Sequence, residues 1–179
     1  MGQIAILCTC YLSFVAKASD QCNADNHPPV VCSLREACYH GMSAQVHEAL
    51  KQGASPDTVD EATGANLLHT VCWRGYSGIA RLLLEYGAKP DGTGMYRGYT
   101  PLHVACRYGQ AEIVGILLEH GADGTIIDHD GKTPLDYTED IQDVKLSDHA
   151  AARAAILEIF RERCPEAYFT AFCTMEVKL

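Results

Sequence analysis

The stretch that decides the fold is Thr100–Thr125, TPLHVACRYGQAEIVGILLEHGADGT. Thr100 suits an N-cap, because its side-chain oxygen can accept from a backbone N–H that the first helical turn leaves without a partner. Pro101 suits the first helical position, where a missing N–H costs nothing and the fixed φ is already helical. The spacing predicts a short helix to Tyr108, ended by Gly109, since leaving the right-handed helical region is least costly for glycine. A second helix then carries Ile113, Val114, Ile116, Leu117 and Leu118, and Gly121 stops it. A unit of this size cannot bury its apolar face alone and needs neighbours.

The neighbours are in the chain. Sliding the unit back by 34 residues aligns Leu68, His69, Cys72, Gly75, Leu83, Leu84, Gly87 and Ala88 with Leu102, His103, Cys106, Gly109, Leu117, Leu118, Gly121 and Ala122. Another step of 34 gives Leu34, Ala37, Cys38, Gly41, Leu50, Gly53 and Ala54. Forward by 33, Gly131, Thr133, Pro134 and Leu135 fit before the pattern decays. The hexapeptide Thr100–Pro101–Leu102–His103–Val104–Ala105 resembles the signature T-P-L-H-x-A of the ankyrin repeat. The resemblance implies an all-α solenoid of stacked helix-turn-helix units joined by β-hairpin-like loops. Its units fall at about 32–56, 57–90, 91–124 and 125–164, after a leader and linker over 1–31 and before a tail over 165–179.

Composition sets bounds. With 179 residues, 47% of them apolar and 21% charged, the chain suits a soluble globular domain. A net charge of −9 argues against a general nucleic-acid binder, which needs a basic surface to neutralise phosphates. Cys38, Cys72 and Cys106 share one repeat position and read as small buried hydrophobes. Equivalent positions of stacked helices lie about 8–10 Å apart, too far for a disulfide or a shared zinc. The His69–Cys72 and His103–Cys106 pairs have H-x-x-C spacing, but the histidine belongs to the repeat signature. No cofactor or metal is therefore expected; a zinc enzyme built on Cys22, His27 and Cys32 has scattered ligands and no partner glutamate. Free thiols in the repeats favour a reducing, cytoplasmic setting.

Ile4–Val15 is apolar but shorter than the ~20 residues that a membrane-spanning helix needs. It resembles a secretory signal with Ala16–Lys17–Ala18 as an A-x-A-like cleavage site, although no Lys or Arg precedes it. Cys8 or Cys10 offers a lipid-anchor alternative, and Asp20–Val31 reads as a linker.

Among the units, the first starts near Cys32 and lacks a hairpin, as a terminal unit can. Asn66 replaces threonine as the cap of the second, and the connections before the second and third are one residue longer than the family norm. In the fourth, no glycine follows the first helix, and Ala151, Ala155, Ile156, Ile159 and Phe160 form the stripe of a capping helix that Pro165 ends. Tyr168, Phe169 and Phe172 are placed to pack back on that cap, and Val177 and Leu179 only weakly match a C-terminal PDZ ligand.

In ankyrin proteins, finger tips and the exposed side of each first helix make the contacts, so the resemblance implies a monomer that binds a protein partner as an adaptor or regulatory, inhibitory subunit. Carried over by position, the contact set is Tyr39, His40, Trp73, Arg74, Arg107 and Tyr108 from the first helices. The fingers add Tyr96, Arg97, Tyr99, His129 and Lys132. Trp, Tyr and Arg dominate interface hot spots, and Arg74, Arg97 and Arg107 suit an acidic or aromatic segment. The competing reading has Trp73 and the tyrosines covering gaps between units. An exported or lipid-tethered effector using the same face is the alternative setting. No phosphate loop, G-x-S-x-G or converging triad is present to suggest an enzyme.

Overall fold

The computed structural model of the chain describes residues 29–60, 63–94, 97–141 and 146–176. Helices come in pairs: α1 (Pro29–His40) with α2 (Ser43–Lys51), α3 (Leu67–Arg74) with α4 (Ser77–Glu85), and α5 (Pro101–Arg107) with α6 (Ala111–Glu119). A 3-10 helix (Pro134–Asp140), α7 (Leu146–Arg163) and α8 (Pro165–Glu176) follow. First helices pack on first helices, from α1 through α3 and α5 to the 3-10 turn, and second helices on second helices, from α2 through α4 and α6 to α7. The product is a two-layered stack with one continuous apolar core. Leu34, Leu68, Leu102 and Leu135 hold the same place in successive units, and all are buried. Among the described residues no helix is long and apolar enough to cross a membrane.

The signature residues carry the stacking. Thr100 Oγ1 accepts from the His103 N–H (3.4 Å) and donates to His103 Nδ1 (2.8 Å), while the Thr100 N–H also reaches Nδ1 (3.1 Å). With Nδ1 accepting, Nε2 carries the proton and donates to the Lys132 carbonyl of the next unit (3.1 Å). His69 does the same one unit earlier, reaching the Tyr99 carbonyl at 2.8 Å, and Asn66 caps α3 as threonine caps α5. Each signature histidine is thus a cap for its own helix and a latch onto its neighbour.

The fingers pair by isolated contacts. An antiparallel bridge joins Val59 and Asn66, and the Asp60 N–H donates to the Ala65 carbonyl (2.8 Å). Neighbouring fingers are tied by Asp57 Oδ1, which accepts from the Lys89 N–H (2.8 Å), and by Asp91 Oδ1, which accepts from the Asp123 N–H (3.0 Å). Backbones of the first and second connections also touch: a Cβ on Gly64 would lie 2.0 Å from the Gly94 carbonyl oxygen. The long connections therefore fit together only because both positions lack a side chain.

Several expectations need correction. The helix of the first unit begins at Pro29, inside the stretch read as linker, with proline again where its missing N–H costs nothing. The first helix of the fourth unit is a 3-10 turn. No glycine ends it, and Asp136 and Thr138 spend their side chains on Thr133 and on the Leu135 carbonyl. In α7, Ile156 and Phe160 are buried and Ile159 is half-buried, but Ala151 and Ala155 face outward. The tail is helical: α8 buries Ala167 and half-buries Tyr168, whereas Phe169 is 63% exposed. The side chain of Phe172, with Val177 and Leu179, lies outside the described residues.

Candidate partner-binding face

Tyr39, Trp73 and Arg107 are separated by 34 residues at each step and so sit at one position of α1, α3 and α5, near the end of each helix. His40 and Arg74 come next, in the last turns, where positive charge meets the negative end of the helix dipole. That placement alone explains why basic residues recur there. Tyr39, Trp73, Arg74, Arg107 and Tyr108 are half-buried and His40 is exposed. Trp73 and Tyr108 rest partly on the core, so the gap-covering account holds for a share of their surface.

The predicted residues assemble into three groups. In the first, the Tyr39 and Trp73 rings lie 6.4 Å apart, and Arg74 Cζ sits 4.0 Å from the Tyr39 centroid and 4.5 Å from that of Trp73. Two rings thus cover the guanidinium, a cation–π arrangement worth about 0.5–2 kcal/mol per contact. Buried Nε of Arg74 has no hydrogen-bond partner among the described residues.

In the second group, Arg107 Nη1 donates to the Tyr99 hydroxyl (3.2 Å), and a short relay continues from there. The Tyr137 hydroxyl lies 3.1 Å from that of Tyr99 and 2.6 Å from Asp128 Oδ2. Only one proton per phenol is available, so Tyr137 donates to Asp128 and Tyr99 donates to Tyr137. Asp128 Oδ1 accepts from the Asp130 and Lys132 backbone N–H groups (2.8 and 2.9 Å). Burial works against ionisation of Asp128, but the Tyr137 hydroxyl and these N–H donors outweigh it and hold the carboxyl below its usual range. Burial, then the Asp128 carboxylate, pushes the Tyr137 phenol up. Arg107 Cζ and Lys132 Nζ lie 5.6 and 5.2 Å from the Tyr137 ring centroid.

The third group departs from expectation. Arg97 is exposed on the finger, but its Nη1 pairs with Asp130 Oδ2 at 2.6 Å, and its carbonyl accepts from the His129 N–H at 2.9 Å. Its charge is already answered within the chain, so it does not add to a free cationic surface as Arg74 and Arg107 do. His129 and Lys132 are exposed; Tyr96 lies outside the described residues. Position-by-position reading missed Tyr137, which meets Tyr99 from 38 residues away, and Asp128 as its acceptor. It also missed Asp57 and Asp91, although these recur at the repeat period.

The Cys38, Cys72 and Cys106 thiols are buried free side chains, as their column predicted, and burial pushes Cys38 up to about 12. Among the described residues no group of three or more His, Cys, Asp or Glu is placed to hold a metal. Cys8, Cys10, Cys22 and His27, on which the lipid-anchor and zinc readings turn, lie outside the described residues.

Comparison with curated proteins finds no match. A family model described as ankyrin repeats matches in 3 copies, over residues 34–128 and 96–138. The stacked pairs, the Thr–His cap and latch and this match agree, and the chain belongs to the ankyrin repeat family, whose repeats generally mediate protein–protein interactions.

Proposed function

We propose that the chain is an adaptor or regulatory subunit that binds a protein through the face formed by the ends of α1, α3 and α5 and the neighbouring fingers. The observation that carries this reading is the Tyr39–Trp73–Arg74 cluster. It gathers two large aromatic surfaces and a guanidinium at the surface, in the residue types that supply most interface energy. Occupying a partner's surface in this way can recruit or inhibit it. His69 and His103, behind the face, are committed to caps and latches. A reducing, cytoplasmic setting is part of the proposal, supported by the free thiols of Cys38, Cys72, Cys106 and Cys164.

The test is affinity capture with mass spectrometry, using the full chain and its Trp73→Ala and Arg107→Ala variants after circular dichroism has shown each variant folded. A partner held by the native chain and lost by both variants supports the placement. Equal retention by all three overturns it.

A further inference from the structure

Arg74 and Arg107 differ from the other arginines of the described region in what their charge meets. Arg35, Arg81, Arg97, Arg153, Arg161 and Arg163 each have a carboxylate partner. Among the described residues, Arg74 and Arg107 have none. A guanidinium presents five N–H donors in its plane. Arg74 uses none of them on a described residue, although Tyr39 and Trp73 shield its faces and Nε is buried. Arg107 uses one, on the Tyr99 hydroxyl. Lys132 adds an ammonium beside the Tyr137 ring, with no carboxylate partner among the described residues.

Aromatic rings satisfy the face of a guanidinium and leave its edge, and the edge is the part that matches a carboxylate with two parallel hydrogen bonds. Both guanidinium groups are held in place by rings or by the Tyr99 hydroxyl, so little side-chain freedom remains to be lost on binding. They stand out in a chain of net charge −9, which repels acidic segments elsewhere on its surface. Adjacent stacked helices lie about 8–10 Å apart, and an extended chain advances about 3.3 Å per residue. Arg74 leans back onto Tyr39 and Arg107 forward toward Tyr137, so their charges stand farther apart than the helix axes and match carboxylates about four residues apart, which an extended chain presents on one face.

We propose that this face selects an acidic peptide segment in extended conformation, with carboxylates spaced about four residues apart, one on Arg74 and the next on Arg107. The proposal rests on the partner-binding reading of this face given above. It narrows that reading to a partner class and removes Arg97 from the charge that does the selecting.

A library of random peptides about 12 residues long, displayed on phage and selected against the immobilised full chain, tests it. The expected winners are enriched in Asp or Glu pairs about four residues apart. Replacing the paired acids by Gln or Asn should weaken binding by about tenfold or more in fluorescence anisotropy, and raising salt from about 50 to about 200 mM should weaken the parent peptide and spare the neutral one. An Arg74→Lys variant, which keeps charge but loses the planar fork, should lose most of the preference for acids over amides. Winners without acidic enrichment that still fail on a Trp73→Ala chain overturn the acidic selection and leave the face in place. Winners indifferent to Trp73→Ala, Arg74→Lys and Arg107→Ala overturn both, and a library that yields no binder overturns the acidic selection.

Discussion

Acidifying the solution from about pH 7.5 to about pH 5 should weaken the fold, because the signature histidine His69 is buried as a neutral ring. Burial, set against the hydrogen bond to the Tyr99 carbonyl, lowers its pKa from 6.5 to about 4. The unfolded chain takes up a proton near 6.5 and the folded one does not, so the unfolded state gains as pH falls. Stability is complete above 6.5, declines through the interval between 6.5 and about 4, and levels off below. At 1.36 kcal/mol per pKa unit the loss from His69 is about 2 kcal/mol at pH 5 and about 3 kcal/mol at pH 4. His103, whose pKa burial also lowers, acts in the same direction. Urea unfolding followed by circular dichroism at about pH 7.5, 6 and 5 measures the decline. A His69→Gln chain should be weaker at neutral pH, having lost the latch to Tyr99, and should show a shallower decline. One contact runs the other way: Asn66 Oδ1 lies 2.7 Å from His69 Nδ1 and would accept a proton placed there. If native stability falls by less than about 0.5 kcal/mol between pH 7.5 and 5, that contact outweighs desolvation and the neutral-latch account is wrong.

Three further outcomes follow from local geometry. Gly115 sits mid-helix in α6 with its nearest neighbour, Ile159 Cδ1, 4.0 Å from an added Cβ, so Gly115→Ala should stabilise by about 0.5–1 kcal/mol and raise the melting temperature by a few degrees. Gly64→Ala meets a backbone oxygen at 2.0 Å from a residue whose φ is already +69°, and should cost about 2 kcal/mol or more and separate the first two fingers, as faster amide exchange at Ala65 would show. Tyr137→Phe strips the 2.6 Å donor from buried Asp128 and the acceptor from Tyr99. A loss of about 1–3 kcal/mol in urea unfolding is expected, with little change in the spectrum of the folded state.

What could be read from the sequence was whatever repeats along it. Leu34, Leu68 and Leu102, the Cys38–Cys72–Cys106 column and the caps at Asn66 and Thr100 follow from a period, because stacking places equal residues in equal surroundings. The relay from Arg107 through Tyr99 and Tyr137 to Asp128 was out of reach, since it joins non-equivalent positions through space and only the fold sets them within bonding distance. Arg97 shows the same limit: its residue type suits an interface, but a finger one unit away supplies Asp130 first. The departures cluster at the ends of the stack. There, Pro29 extends α1 beyond the period, and Asp136 and Thr138 tighten the last inner turn into a 3-10 helix. End units face a neighbour on one side only, so the repeating constraint that makes the middle legible is relaxed.

Asp136 also carries the meaning of that ending. It stands where His69 and His103 stand in their units, and it grips Thr133 by both the backbone N–H and the hydroxyl at 2.8 Å. A carboxylate in that place has no hydrogen to extend toward a following carbonyl, so the stack carries its own full stop after the third histidine-competent interface would have begun. Anyone lengthening this array by grafting in extra units should splice them upstream of Thr133, where each newcomer finds an imidazole already reaching for it.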